Sequence, residues 1–251
     1  MQQFLYEHIF NEGETKDMIH DGFKEGLKEG IPIAIGYFSV SFTFGMLAVN
    51  NGISPFHAVL ISLLNLTSAG QFAGLTVILS GASLLEMALT QLVINIRYAL
   101  MSLALSQKFA PSVKTRHRML IAYGNTDEIF AVASSKSGMV GRFFMYGLIL
   151  LPVVGWVGGT LTGAVASTIL PAAVRSALGV ALYGMFIAIV VPAAEEVRTV
   201  RIVVMLALLF STGFYYLPGL REISSGFTII LCTILASAVG AVLFPIKEEA
   251  S

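Results

Sequence analysis

Arg97 stands inside an apolar stretch that runs from about 83 to 106, in company with Glu86, Gln91 and Asn95. At 1.5 Å per residue it lies roughly 16 Å from Lys108, close to half the thickness of a bilayer's hydrocarbon core. A charge at that depth costs about 2.5–3.5 kcal/mol on insertion scales, and it is too far from either interface to snorkel. The guanidinium is therefore expected to face the protein interior. There it can pair with a carboxylate or backbone carbonyls, or hold a ligand carboxylate through two parallel hydrogen bonds. On a regular helix Glu86, Thr90 and Arg97 share one face, and Gln91, Asn95 and Tyr98 share another. Asn95 and Arg97 reach one ligand only if a bend or tight packing brings them together.

Two further polar clusters interrupt apolar stretches. Asn65-Leu66-Thr67-Ser68-Ala69-Gly70-Gln71 sits at the centre of 56–80, and Gly124-Asn125-Thr126-Asp127-Glu128 at the centre of 119–135. Neither makes a good lipid-facing helix, because each places polar groups where water cannot satisfy them. In the first, Asn65, Thr67, Ser68 and Gln71 are candidate substrate-binding groups alongside Asn95 and Arg97. With Gly70 they can expose the start of a half-helix, whose free N–H groups bind anions such as carboxylates. The plainer alternative is hydrogen bonding between helices. In the second, the adjacent acids Asp127 and Glu128 point different ways and are candidates for proton or ion coupling. Asp127 could cap a half-helix; Glu128 could neutralise Arg97, meet a ligand ammonium or carry a proton.

The elements that must position these groups follow from composition. Hydrophobic residues make up 56% of the 251-residue chain and charged residues 12%, with a mean hydropathy of +0.81. Apolar segments recur at about 31–49, 56–80, 83–106, 119–135, 143–167, 177–194, 201–217 and 226–245. The charge in short loops decides how the two interrupted segments sit. If both return to the side they entered, six helices cross and twelve of the 15 Lys and Arg fall on one side. Arg175 and Arg221 then fall on the other and Arg97 lies within. If both cross, the Lys108–Arg118 cluster changes side and the bias shrinks to eight against six of the same 15. The first arrangement is the better orientation signal.

The expected fold is all-α, a polytopic transmembrane bundle of about six crossing helices plus two re-entrant or broken segments, with both termini cytoplasmic. Residues 1–30 are acidic and read as an amphipathic, interfacial lead-in. Residues 31–245 form the membrane domain, and 246–251 a cytoplasmic tail. Non-helical backbone at membrane depth survives when it is buried in protein or lines a wet cavity, so the two interruptions point to a site between them. A loose match of Leu66–Gly74 to Gly124–Val132, sharing Phe-Ala at one offset, suggests that they are corresponding parts of two repeats.

Several classes of function are disfavoured. The net charge is zero and the basic residues are dispersed, so nucleic acid is not an expected partner. Cys232 is the single cysteine, and His8, His20, His57 and His117 are scattered. HExxH, GxSxG and a phosphate-binding glycine loop are absent from the sequence, so neither an enzyme nor a cofactor is expected. Gly155, Gly159 and Gly163 recur every four residues, a face for close helix packing.

Four stretches together resemble the AzlC family of branched-chain amino-acid permeases, over about 25 to 245. They are Gly30-x-Pro32 with Gly36-Tyr37-Phe38-Ser39-Val40-Ser41-Phe42-Thr43-Phe44-Gly45; Gly70-Gln71-Phe72-Ala73; Asn95-Ile96-Arg97-Tyr98; and Thr126-Asp127-Glu128-x-Phe130-Ala131. The chain departs from the family pattern at Gly70, where Ser is common, and at Tyr98, where His is common. The resemblance implies the large subunit of a two-part exporter in the cytoplasmic membrane. Its expected substrate is valine, leucine, isoleucine or a related amino acid, and its expected partner a small AzlD-type membrane subunit. The alternatives are a channel for a small solute and a non-transporting assembly subunit.

Overall fold

The computed structural model describes residues 19–171, 173–174, 184, 187 and 190–245. Nine α-helices are assigned in full among them, besides a 3-10 turn at Leu220–Glu222: α1 (Phe23–Asn50), α2 (Pro55–Leu64), α3 (Ser68–Leu79), α4 (Leu84–Ser106), α5 (Thr115–Tyr123), α6 (Asp127–Ser135), α7 (Arg142–Ile169), α8 (Arg198–Tyr216) and α9 (Ser225–Leu243). A two-residue parallel ladder pairs Ile19–His20 with Met139–Val140 and leaves the all-α class unchanged. Five of the described helices, α1, α4, α7, α8 and α9, are long and apolar enough to cross a membrane. Most of the segment expected over 177–194, together with 1–18 and the tail 246–251, lies outside the described residues.

The spine of the fold is the pair α1 and α7, which run parallel and touch backbone to backbone. A Cβ on Gly26 would overlap the Phe144 carbonyl, one on Gly45 the Thr160 carbonyl, and ones on Gly155, Gly159 and Gly163 the carbonyls of Ala34, Phe38 and Phe42. Pro152 lacks the N–H that would bond the Leu148 carbonyl one turn back. Gly30 packs on that freed carbonyl, its Cβ position only 2.9 Å from the oxygen. The lead-in from Phe23 is continuous with α1, and Gly26 and Gly30 are buried in this seam.

Gly163→Ala is therefore expected to push the helices apart and destabilise the protein by about 1–3 kcal/mol. Gly158, on the same helix with no described residue within 4 Å of its Cβ position, supplies the control. Thermal unfolding in detergent should show a lowered midpoint for Gly163→Ala and an unchanged one for Gly158→Ala.

Both interrupted segments are hairpins that turn back to the end they came from. Chain order along α2 runs from Ala58, clustered with Phe44 and Ala48 near the end of α1, to Ser62, hydrogen-bonded to Thr160. After the break α3 retreats: Gln71 meets Trp156, then Phe72 packs edge-on to Phe44 at 5.5 Å and Leu75 rejoins the Phe44–Ala58 cluster. From the opposite end α5 starts where His117 meets Tyr146 and advances to Gly124, tight against Ile149. Then α6 returns from Thr126, beside Tyr37, to Lys136, which binds Glu25 and Glu29 at the start of α1. Burial disfavours the Lys136 ammonium, but hydrogen bonds and charge from Glu29 and Glu25 outweigh it and hold its pKa above the usual lysine value.

Local sequence explains the breaks. Ser54 caps α2, with Pro55 in its first turn. Asn65 takes an extended conformation and Thr67 then caps α3 by accepting from the Gly70 N–H. Gly124 ends α5, and Asp127 and Glu128 open α6, where two negative charges suit the positive end of a helix. The hairpins enter from opposite ends, as an inverted pair would. Their tips meet through the Tyr123 hydroxyl, which donates to the Leu63 carbonyl.

On the outer face of α4, Leu92, Ile96, Leu100 and Leu103 are each more than half exposed, and α8 has no buried residue at all. Apolar faces of this extent call for lipid or another apolar partner.

Candidate functional site

Arg97 projects from the middle of α4 into the gap between the hairpin tips, where its Nη2 lies 2.8 Å from Asp127 Oδ2. The pair is only half shielded, with 49% and 42% of the two side chains exposed, because it opens onto a chamber of about 600 Å³. Ser68 and Ala69, the first residues of α3, and Asp127 and Glu128, the first of α6, form its polar side. Ile33, Val40 and Trp156 form its apolar side. Two half-helices thus present their N-termini to one space that also holds a guanidinium. That combination suits a carboxylate, while the two acids suit an ammonium.

Tyr37 completes the polar wall. Its hydroxyl lies 2.5 Å from both Thr126 Oγ1 and Glu128 Oε2. A phenol has one proton to give, and the carboxylate is the stronger acceptor, so Thr126 donates to the phenol oxygen in turn. The Tyr37 ring is held edge-on to Trp156 at 5.2 Å. Tyr37 and Trp156 carried no assigned role in the sequence reading. The available signal was a tyrosine and the chain's single tryptophan inside otherwise apolar, glycine-rich spans.

Asp127, expected as a cap, takes the pairing with Arg97 expected of Glu128. Asp127 pairs with Arg97, whereas Glu128 turns to Tyr37, because adjacent positions in the first turn of α6 point to different neighbours. Thr126 occupies the cap position of α6.

The six candidate binding residues divide into three groups. Arg97 and Ser68 line the chamber. Asn65, Thr67 and Asn95 instead line a separate cavity of about 190 Å³ between the hairpin tips, together with Tyr98, Asn125 and Thr126. Asn95 and Arg97 do face different spaces, as their spacing on a regular helix requires. Gln71 lines neither: it is 1% exposed, accepts from Trp156 Nε1 at 3.0 Å and donates to Ser62 Oγ at 2.6 Å. Ser62 bonds Thr160 at 2.6 Å, so Gln71 is the centre of a buried brace that ties the first hairpin to α7. Its small neighbours on α3 hid that role from the sequence.

Glu86, the other acid on α4, is also structural. Its carboxylate accepts from the Gly226 N–H at 2.9 Å and from the Ser224 hydroxyl, capping α9.

Long apolar helices, opposed re-entrant hairpins and an ion pair at their tips define a polytopic membrane protein built around a largely apolar chamber with a charged wall. The chain belongs to the AzlC protein family, whose sequence model matches residues 32–170, a range that contains every chamber residue named above. It is 37% identical over 172 residues to an uncharacterized membrane protein of Archaeoglobus fulgidus, covering 68% of this chain and 75% of that one. It is 33% identical over 171 residues to the inner membrane protein YgaZ of Escherichia coli K12, covering 65% and 70%. An uncharacterized membrane protein of Helicobacter pylori is 31% identical over 145 residues, or 56% and 62% of the two chains. No solved structure matches the chain significantly.

Proposed function

We propose that the chain is the large subunit of a secondary transporter that exports branched-chain amino acids such as valine, leucine or isoleucine, working with a small AzlD-type membrane subunit. The observation that carries this reading is the Arg97–Asp127 pair, held on the middle of α4 between two half-helix N-termini and opposite an apolar wall. An amino acid matches that wall on all counts. Its carboxylate takes the Arg97 fork, Asp127 or Glu128 meets its ammonium, and the branched side chain lies against Ile33, Val40 and Trp156. Binding exchanges one ion pair for two, so the guanidinium is never left unpaired. In this reading Glu128, whose carboxylate accepts from Tyr37, handles the coupling proton or ion. The substrate leaves chemically unchanged. The distribution of Lys and Arg supports cytoplasmic termini in a cytoplasmic membrane.

Opposed hairpins also suit a channel for a small solute, which is the second reading. Liposomes containing both subunits separate the two. A carrier preloaded with unlabelled valine should accumulate labelled valine transiently and saturably, whereas a pore conducts without either property. Absence of counterflow for every branched-chain amino acid, in the presence of both subunits, would remove the proposed activity.

A further inference from the structure

The cavity between the hairpin tips has an unusual hydrogen-bond balance. Gln91 sets it. The Gly70 carbonyl can only accept, so the Gln91 amide nitrogen must face it, at 2.7 Å. The Gln91 oxygen consequently takes the Asn95 amide nitrogen at 3.0 Å and that of Asn65 at 3.3 Å. This fixes the polarity of both asparagines and leaves their carbonyl oxygens on the other side. On the second hairpin the Asn125 nitrogen donates to Ser102 Oγ at 2.9 Å. Asn95 Oδ1 and Asn125 Oδ1 are buried and accept no hydrogen bond from the described residues, and Asn125 as a whole is 3% exposed. Both residues line the same cavity of about 190 Å³.

The C-terminal ends of two half-helices also reach this cavity. Leu64 and Asn65 bring the C-terminal end of α2 to this cavity, and Ala122 and Tyr123 bring that of α5. Each end presents carbonyls without intrahelical partners and the negative pole of its helix. The N-terminal residues of α3 and α6, Ser68, Ala69, Asp127 and Glu128, line the larger chamber instead. The first turns of α3 and α6 thus line the chamber and the C-terminal ends of α2 and α5 the asparagine cavity, while the cap residues Thr67 and Thr126 line that cavity too.

We propose that the asparagine cavity is a binding site for a small monovalent cation held by neutral oxygens, with Asn95 and Asn125 as its side-chain ligands. Two sources share that chemistry: a free sodium ion and the ammonium group of the substrate. The volume accommodates such a group with a few waters, each occupying about 30 Å³. Among the described residues no carboxylate lines the cavity, so the site draws on amide oxygens and helix-end carbonyls rather than formal charge. Tyr98 connects it to the chamber, because its hydroxyl accepts from Arg97 Nη2 at 3.2 Å while the residue lines the cation cavity. The ammonium source rests on the amino-acid reading above, with the asparagines taking the part given there to Asp127 or Glu128; the sodium source does not.

The test is thermal unfolding of the detergent-purified protein in sodium chloride and in choline chloride at equal ionic strength. A second set in choline chloride adds valine or isovalerate, which lacks the amino group. Saturating sodium is expected to raise the midpoint by about 5 °C if the metal ion is the ligand. Stabilisation by valine but not isovalerate, without a sodium effect, assigns the ammonium. In either case Asn125→Ala and Asn95→Ala should lose the response. Should the alanine variants not fold, the near-isosteric Asn125→Asp is expected to shift the half-saturating concentration of the same ligand at least threefold. Midpoints indifferent to sodium and to the amino group, or responses unchanged in the variants, overturn the site. Equal binding of valine and isovalerate with no dependence on Asn125 does so while leaving the Arg97 carboxylate site standing. A sodium response with no effect of valine upholds the cation site and counts against the amino-acid reading.

Discussion

Arg97→Ala is expected to lower substrate efflux at least about 30-fold while the protein still inserts and unfolds cooperatively. Truncating one partner of a charged, hydrogen-bonded pair costs about 2–5 kcal/mol. Here the loss would fall on the bound substrate as well as on Asp127, which lies 2.8 Å away. Arg97→Lys keeps the charge but loses the planar fork, so it should recover little. The double variant Arg97→Ala/Asp127→Ala separates two roles. If the arginine only balances Asp127, removing both charges restores efflux; if it holds the substrate carboxylate, efflux stays low. Efflux from preloaded cells, normalised to the amount of protein in the membrane, reads all three variants.

The second large effect is expected at Glu128. Its carboxylate is bonded by Tyr37 and stands apart from the Arg97–Asp127 pair, so neutralising it leaves the carboxylate-binding groups in place. Glu128→Gln should abolish net efflux driven by a proton gradient and preserve exchange of labelled for unlabelled valine across liposomes. Loss of both activities together would place Glu128 in binding rather than coupling, and retention of both would remove it from the transport cycle.

Much of this arrangement is legible in the chain because membrane burial penalises polar groups so heavily. A mid-depth arginine and two polar breaks had to meet something, and the pairing of Arg97 with Asp127 beside Ser68 is that meeting. The hairpin geometry followed from loop charge. The face pattern of α4 also read correctly, with Asn95 and Tyr98 on one cavity and Arg97 on another. What stayed hidden depended on partners distant in sequence. Gln71 looks like a ligand until Trp156, 85 positions later, claims its oxygen. Asp127 and Glu128 are neighbours whose tasks are set by α4 and α1 respectively, which no local pattern encodes. Gly155, Gly159 and Gly163 announced close packing, but only the fold shows that the surface they meet belongs to α1 of the same chain.

That glycine seam has a mechanical consequence. Its contacts are chiefly peptide against peptide, with the small Ser41 side chain against Gly159 the exception, so little in it can switch rotamer to let one helix slide. A new register would require a jump of about one turn, 5.4 Å. The α1–α7 pair therefore behaves as a stator. Because Gln71, Ser62 and Thr160 brace the first hairpin to α7, any movement that exposes the chamber first to one face of the bilayer and then to the other falls chiefly to α4 and the second hairpin, which meet at Arg97–Asp127 and Asn125–Ser102.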